Sequence, residues 1–234
     1  MRICVTGTAC IGKSTFIDDF ISRWPMYKKP ETTYRDIIKE KNLSLNREGN
    51  RESQLAILDA LCEQAEINKD EKYCIHDRCV IDNLAYTLWL AAKEKGEVRP
   101  EDFTASVIQA RQALKHYDII FFMPITKTTN IPLEERVNRD INEDYRSEID
   151  MILKSFNTDY IHKHGKIFPT DDCPAVIEVF GDRSERIGLV SLYIKPNGDP
   201  FGEEDGSLIS FGDKDPNEMS DFEKDRILQQ ISIK

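Results

Sequence analysis

Gly7-Thr8-Ala9-Cys10-Ile11-Gly12-Lys13-Ser14 follows the apolar run Ile3-Cys4-Val5 and precedes a helical pattern. A glycine-bearing turn between a strand and a helix is the setting in which backbone N–H groups converge on phosphate oxygens, backed by the helix N-terminus. Glycines at both ends permit the tight turn. In such a loop Lys13 reaches the β- and γ-phosphates and the Ser14 hydroxyl sits on Mg²⁺. The triphosphate is therefore expected against Gly7, Thr8, Ala9, Cys10, Ile11, Gly12, Lys13, Ser14 and Thr15.

Working outward, the chain has 234 residues, 40% of them hydrophobic and 32% charged, which fits a globular core with one appendage. No run approaches the ~18 apolar residues of a membrane span, and Met1 leads straight into an apolar strand, so the expected location is the cytoplasm. Six cysteines occur without a Cys-x-x-Cys pair and read as reduced, packed thiols. The net charge of −10 is uneven: Pro196 to Lys234 holds ten acids and four bases. No basic stripe is present that would hold long nucleic acid nonspecifically.

Periodicity predicts a strand over 1–6 and a helix over 13–24, where Phe16, Ile17, Phe20, Ile21 and Trp24 recur at helical spacing and Pro25 ends the run. A short second strand is expected near Met26–Lys29, then a helix over 51–69. The strand Tyr73-Cys74-Ile75-His76 runs into Asp77-Arg78, and helices follow over 82–95 and 100–116. Ile119–Met123 is the most strand-like run of all. A helix carrying Ile149, Leu153 and Phe156 and a fifth strand at 175–180 complete the alternation, and 187–194 reads as either helix or strand. Such alternation argues for an α/β fold, a five-stranded parallel sheet flanked by helices. Residues 196–234, acidic and rich in glycine and proline, form an extension expected to end in a short amphipathic helix over 222–231.

A carboxylate at the end of a parallel strand lies beside the phosphate loop in this class of sheet, which places Asp77 near the metal together with Ser14. The cluster Asp77-Arg78-Cys79-Val80-Ile81-Asp82-Asn83-Leu84-Ala85-Tyr86 resembles the Asp-Arg motif of thymidylate and deoxynucleoside kinases. It also resembles the Asp-Arg-x-x-x-Asp-x-x-Ala-Tyr pattern of small P-loop kinases near the ribosylnicotinamide kinase group. The likeness covers about residues 1–190. It implies a P-loop NTPase fold with a kinase domain over 1–195, an arginine-bearing lid at about 124–148, and the acidic C-terminal extension beyond.

By that resemblance Lys13, Asp77, Glu31 and Arg139 are the catalytic residues. Arg136, Arg139 and Arg183 add to the ATP site, the last within a Gly181–Arg186 segment that covers adenine in relatives. Glu31, Arg35, Gln54, Arg78, Asp82 and Arg146 hold the acceptor, Gln54 against its base. Asp82 stands where thymidylate kinases have serine, so thymidine monophosphate is not singled out as substrate.

The implied activity is transfer of the γ-phosphoryl group of ATP, with Mg²⁺, to a hydroxyl or phosphate of a nucleoside, a (deoxy)nucleotide or a related small acceptor. Two other readings stay open: a kinase acting on a hydroxyl carried by DNA, such as a hydroxymethylpyrimidine or a DNA end, and a nucleotide-dependent ATPase switch. The tail has three roles open to it, covering the site, joining a homodimer, or neither.

Overall fold

The computed structural model describes residues 1–31, 33–127 and 142–202, apart from the side chains of residues 34, 35 and 37. The elements run β1 (Arg2–Thr6), α1 (Lys13–Arg23), α2 (Tyr34–Lys41), a 3₁₀ turn (Asn46–Glu48), α3 (Arg51–Ile67), β2 (Cys74–Asp77), α4 (Val80–Ala92), α5 (Pro100–Leu114), β3 (Ile119–Phe122), α6 (Glu143–Ile161), β4 (Ala175–Glu178) and α7 (Arg183–Val190). Among the described residues the sheet has four strands in the order β2-β1-β3-β4, every pairing parallel.

Side chains alternate across the strands, and each face meets its own helical layer. Cys4, Ile120 and Phe122 enter the core with α3, α4, α5 and α6. Ile3, Val5, Phe121 and Met123 enter the other core with α1 and Val190 of α7. Both faces being covered, the strands read as unbroken apolar runs rather than as alternating ones.

Five strands were expected, and the one that is corrected is the second, near Met26–Lys29. Met26–Lys29 forms one isolated parallel bridge, Lys28 with Cys74, through Lys28 N–H to the Tyr73 carbonyl at 3.1 Å and Ile75 N–H to the Lys28 carbonyl at 2.9 Å. The reason lies at its two ends. A turn closed by Tyr27 N–H on the Trp24 carbonyl at 3.1 Å occupies the near side, and Pro30 on the far side has no N–H for a ladder. Tyr27 instead packs its ring against Phe20 and Tyr73.

Helix α2, eight residues long, was not among the expected elements. Thr33 and Asp36 close a capping box at its start, and Ile38 is buried against the α3–α4 layer. The ambiguous 187–194 resolves as the end of α7 followed by a turn. Beyond it, Trp24 Nε1 donates to the Lys195 carbonyl at 2.9 Å and the Tyr27 hydroxyl to the Gly198 carbonyl at 2.7 Å. The start of the expected extension is thus tied to the α1 side of the sheet, while 203–234 lies outside the described residues. No helix among the described residues is long and apolar enough to cross a membrane.

Candidate active site

The carboxyl ends of β1 and β2 set the site. They pair in register, Val5 beside Asp77, so the loop leaving β1 and the chain leaving β2 emerge side by side. Gly7 has φ +150°, and a Cβ there would come within 2.7 Å of the Met123 carbonyl. Gly12, the cap of α1, sits at φ +88°. Cys10 takes φ +57° without the freedom of a glycine, a strained choice that puts it at the bend of the loop.

An account of the loop's carbonyls explains its shape. Lys13 Nζ donates to the Gly7 and Thr8 carbonyls at 2.6 and 2.7 Å. Arg146 Nε, from α6, donates to the Ala9 carbonyl at 2.9 Å, and Arg186 Nη1, from α7, to the Ile11 carbonyl at 3.1 Å. The Gly12 carbonyl takes Phe16 N–H at 2.9 Å as the first helical bond of α1. Thr8 Oγ1 donates back to the Arg146 carbonyl at 3.1 Å. A trans peptide aims its N–H opposite its C=O, so carbonyls held from outside turn the N–H groups inward. No acceptor among the described residues meets the N–H of Cys10, Ile11 or Gly12.

Lys13, Arg146 and Arg186 are all buried. Neither arginine forms an ion pair among the described residues. Arg186 Nε makes no hydrogen bond, and burial pulls the guanidinium's affinity for its proton down, with Asp182 opposing through space. Buried cations are ordinarily matched by anions. For Arg146 and Arg186 no such match is present among the described residues, and a bound polyanion would supply it.

The second half of the site begins at Asp77. The Ser14 hydroxyl donates to Asp77 Oδ2 at 3.2 Å, bringing two hard oxygen donors together from α1 and β2. No cluster of three or more His, Cys, Asp and Glu among the described residues is arranged to hold a metal ion. Mg²⁺ asks for less, one or two protein oxygens with phosphate oxygens and waters, and Ser14 with Asp77 fits that demand.

Arg78 turns the chain at φ +80°, and its N–H bonds the Val5 carbonyl at 3.0 Å. Its guanidinium is aimed by Asp82 Oδ1 at 2.8 Å and the Tyr86 hydroxyl at 3.3 Å, and it lies over the Tyr86 ring, 5.4 Å from the centroid. Asp82, 2% exposed, also accepts Cys79 N–H at 3.1 Å in the capping box of α4 and Gly7 N–H at 3.4 Å. One carboxylate therefore touches the phosphate loop, the Arg78 guanidinium and the start of α4. Asp82 was expected to face the acceptor; the structure places it beneath Arg78.

The other expected residues divide. Glu31 is exposed past the Lys28 bridge. Gln54 is buried between helices, its Oε1 accepting Asn83 Nδ2 at 3.0 Å and Thr87 Oγ1 at 3.3 Å. Because Asn83 Nδ2 also donates to the Gln54 main-chain carbonyl, both amide orientations are fixed by the network. Gln54 ties α3 to α4 in this arrangement. Arg183 pairs with Asp19 on the exposed face of α1, at 2.9 and 2.5 Å. Arg136 and Arg139 lie outside the described residues, as does the side chain of Arg35.

Arg186 was missed in favour of Arg183. Arg183 opens α7 pointing outward, whereas Arg186 shares its buried face with Val190 four residues on. That i, i+4 relation was the available signal. His76 precedes Asp77 but faces the opposite layer, edge-on to Tyr117 with Gln64 and Cys74 at its ring nitrogens. Burial lowers its pKa to about 4, so it is neutral and structural.

Known proteins bear out this architecture. A family model described as an AAA domain matches residues 2–167. A search of curated proteins gives no match. Among solved structures, deoxyadenosine kinase from M. mycoides with dCMP and dCDP bound aligns at 18% identity and TM-score 0.56, over 81% of this chain and 96% of that one. The NadR protein in complex with NAD and AMP-PNP aligns at 16% and 0.53, over 82% of this chain and 48% of that one. Thymidylate kinase from Candida albicans aligns at 13% and 0.50, over 80% and 86%. With its model spanning most of the chain, and the parallel sheet and phosphate loop in place, this protein belongs to the AAA domain family, and its fold is like that of these solved kinases.

Proposed function

We propose that this chain is a Mg²⁺-dependent phosphotransferase that moves the γ-phosphoryl group of ATP to a hydroxyl or phosphate of a nucleoside, a (deoxy)nucleotide or a related small acceptor. The observation that carries the reading is the phosphate loop itself: the N–H groups of Cys10, Ile11 and Gly12 meet no acceptor among the described residues while Arg146 and Arg186 hold the Ala9 and Ile11 carbonyls, and Ser14 and Asp77 converge beside it. Inward N–H groups and Lys13 bind the donor phosphates. Mg²⁺, held by Ser14 and Asp77, offsets charge on the β- and γ-oxygens when bound.

Arg78 faces the acceptor from the neighbouring strand end, preorganised by Asp82 and Tyr86 so that little rearrangement is needed when substrate arrives. Glu31 or Asp77 accepts or orients the acceptor proton, Arg35 adds an acceptor contact, and Arg136 and Arg139 complete the clamp on the transferring group. Arg146 belongs with the donor loop in this scheme, and Gln54 shapes the acceptor wall from behind. Solved neighbours that hold dCMP, dCDP, NAD and AMP-PNP support a nucleotide-sized site.

Purified protein incubated with labelled ATP, Mg²⁺ and a panel of nucleosides, nucleoside monophosphates and ribosylnicotinamide is expected to label at least one acceptor, and Lys13→Ala to abolish the transfer. ATP turnover indifferent to every acceptor would refute it.

A further inference from the structure

Arg186 has no step assigned to it in the scheme above, and its placement is specific. It arises from α7, near the far end of the described chain, yet donates Nη1 to the Ile11 carbonyl at 3.1 Å. Arg146 does the same from α6 at the Ala9 carbonyl, 2.9 Å away. The two carbonyls belong to the Ile11–Gly12 and Ala9–Cys10 peptide units. The N–H ends of those same units, on Gly12 and Cys10, face the opposite way and meet no acceptor among the described residues.

A cation bonded to one end of a peptide deepens its dipole and makes the other end a stronger donor. Arg186 is 5% exposed, its Nε has no partner, and no carboxylate pairs with it among the described residues, so its charge acts on the loop with little competition. Arrays of this kind attract anions, and the effect is largest where water is excluded.

We infer that Arg186 is a positioning residue of the donor site, which together with Arg146 polarises two peptide units of the phosphate loop and so raises its affinity for a chain of phosphates. The ligand class is a polyphosphate anion, carried by a nucleotide or free. The inference rests on the reading of the loop as a phosphate site. It adds that α7 is tied to the phosphate loop through the Arg186–Ile11 contact.

Calorimetric titration of the full chain with ATP, with inorganic tripolyphosphate and with adenosine separates the possibilities without turnover. Arg186→Met is expected to weaken ATP and tripolyphosphate alike, by about tenfold or more, the range of a charge-assisted hydrogen bond. The ligand-free thermal midpoint should stay level or rise, since a buried cation without a counter-ion has been removed. Arg186→Lys, which keeps the charge, should recover part of the loss for both phosphate ligands.

Wild-type affinity for tripolyphosphate in Arg186→Met overturns the inference and leaves the proposed function standing. A fall in the ligand-free midpoint that matches the loss of binding, with no recovery in Arg186→Lys, also overturns it, because it marks a purely structural strut. A wild-type chain that binds neither ATP nor tripolyphosphate refutes the reading of the loop itself.

Discussion

Replacing Asp82 by alanine removes three acceptor contacts at once, and each has a different worth. The Arg78 guanidinium at 2.8 Å belongs to a pair only 14% and 2% exposed, so breaking it leaves a cation short of its partner in a poorly solvated place. Loss of one member of a buried pair costs about 3–5 kcal/mol. The Tyr86 hydroxyl and ring remain beside Arg78 and hold the cost to the lower end. Cys79 N–H at 3.1 Å loses its cap, about 1 kcal/mol. The Gly7 contact at 3.4 Å is long and adds a few tenths at most. The expected loss for Asp82→Ala is about 3–5 kcal/mol. Asp82→Asn keeps one carbonyl oxygen for Arg78 or Cys79 and should lose about half as much. Urea unfolding at neutral pH measures both, with an unchanged slope as the sign that the same surface is exposed. A loss below about 1 kcal/mol in Asp82→Ala would refute the hub. So would equal losses in the two variants, because the charge and the remaining oxygen would then count for nothing.

Four more expectations follow from the same geometry. Asp77→Asn and Ser14→Ala should each abolish most of the gain in nucleotide affinity that Mg²⁺ confers, while metal-free binding persists; calorimetry with and without Mg²⁺ tests this, and an unchanged Mg²⁺ dependence would remove these residues from the metal site. Arg183→Ala breaks an exposed pair with Asp19 and should leave the thermal midpoint where it was. Gly7→Ala should destabilise the protein by about 1–3 kcal/mol, since the new Cβ would sit 2.7 Å from the Met123 carbonyl, and chemical denaturation reads the loss. His76, held to a pKa of about 4 against 6.5 when unfolded, makes stability rise with pH across that interval, because the unfolded chain binds the extra proton. The full contribution is present above 6.5 and up to about 3 kcal/mol is lost towards pH 4; His76→Gln should flatten that part of the profile.

Local patterns were legible wherever a residue's role is decided by its immediate neighbours in sequence. The phosphate loop, the strand run Ile119–Met123 and most helices fall in that class, because their signals are spacing, glycine placement and apolar periodicity. The 26–29 segment was misread because its residues suit a strand, while the turn before it and Pro30 after it leave room for one bridge only. Asp82 and Gln54 were assigned outward roles from a family pattern that records residue type at a position. It does not record which way the side chain turns, and here both are enclosed by donors from a neighbouring helix or loop. Glu31 is exposed and has no partner among the described residues from which its role could be sharpened.

The site's remaining logic is long-range, and no window of sequence contains it. Arg146 and Arg186 reach the phosphate loop across separations of 137 and 175 residues. The loop is the first turn of the chain and Lys13 holds its Gly7 and Thr8 carbonyls locally, but the side chains that hold the Ala9 and Ile11 carbonyls arrive only with α6 and α7. A loop of that composition in isolation could satisfy its carbonyls with water and let its N–H groups point anywhere. Packing of α6 on one face of the sheet and α7 on the other removes that freedom, one arginine from each layer. The phosphate-binding geometry is therefore a property of the completed fold. Truncation within α7 should impair donor binding even though Gly7–Ser14 and its strand are left untouched.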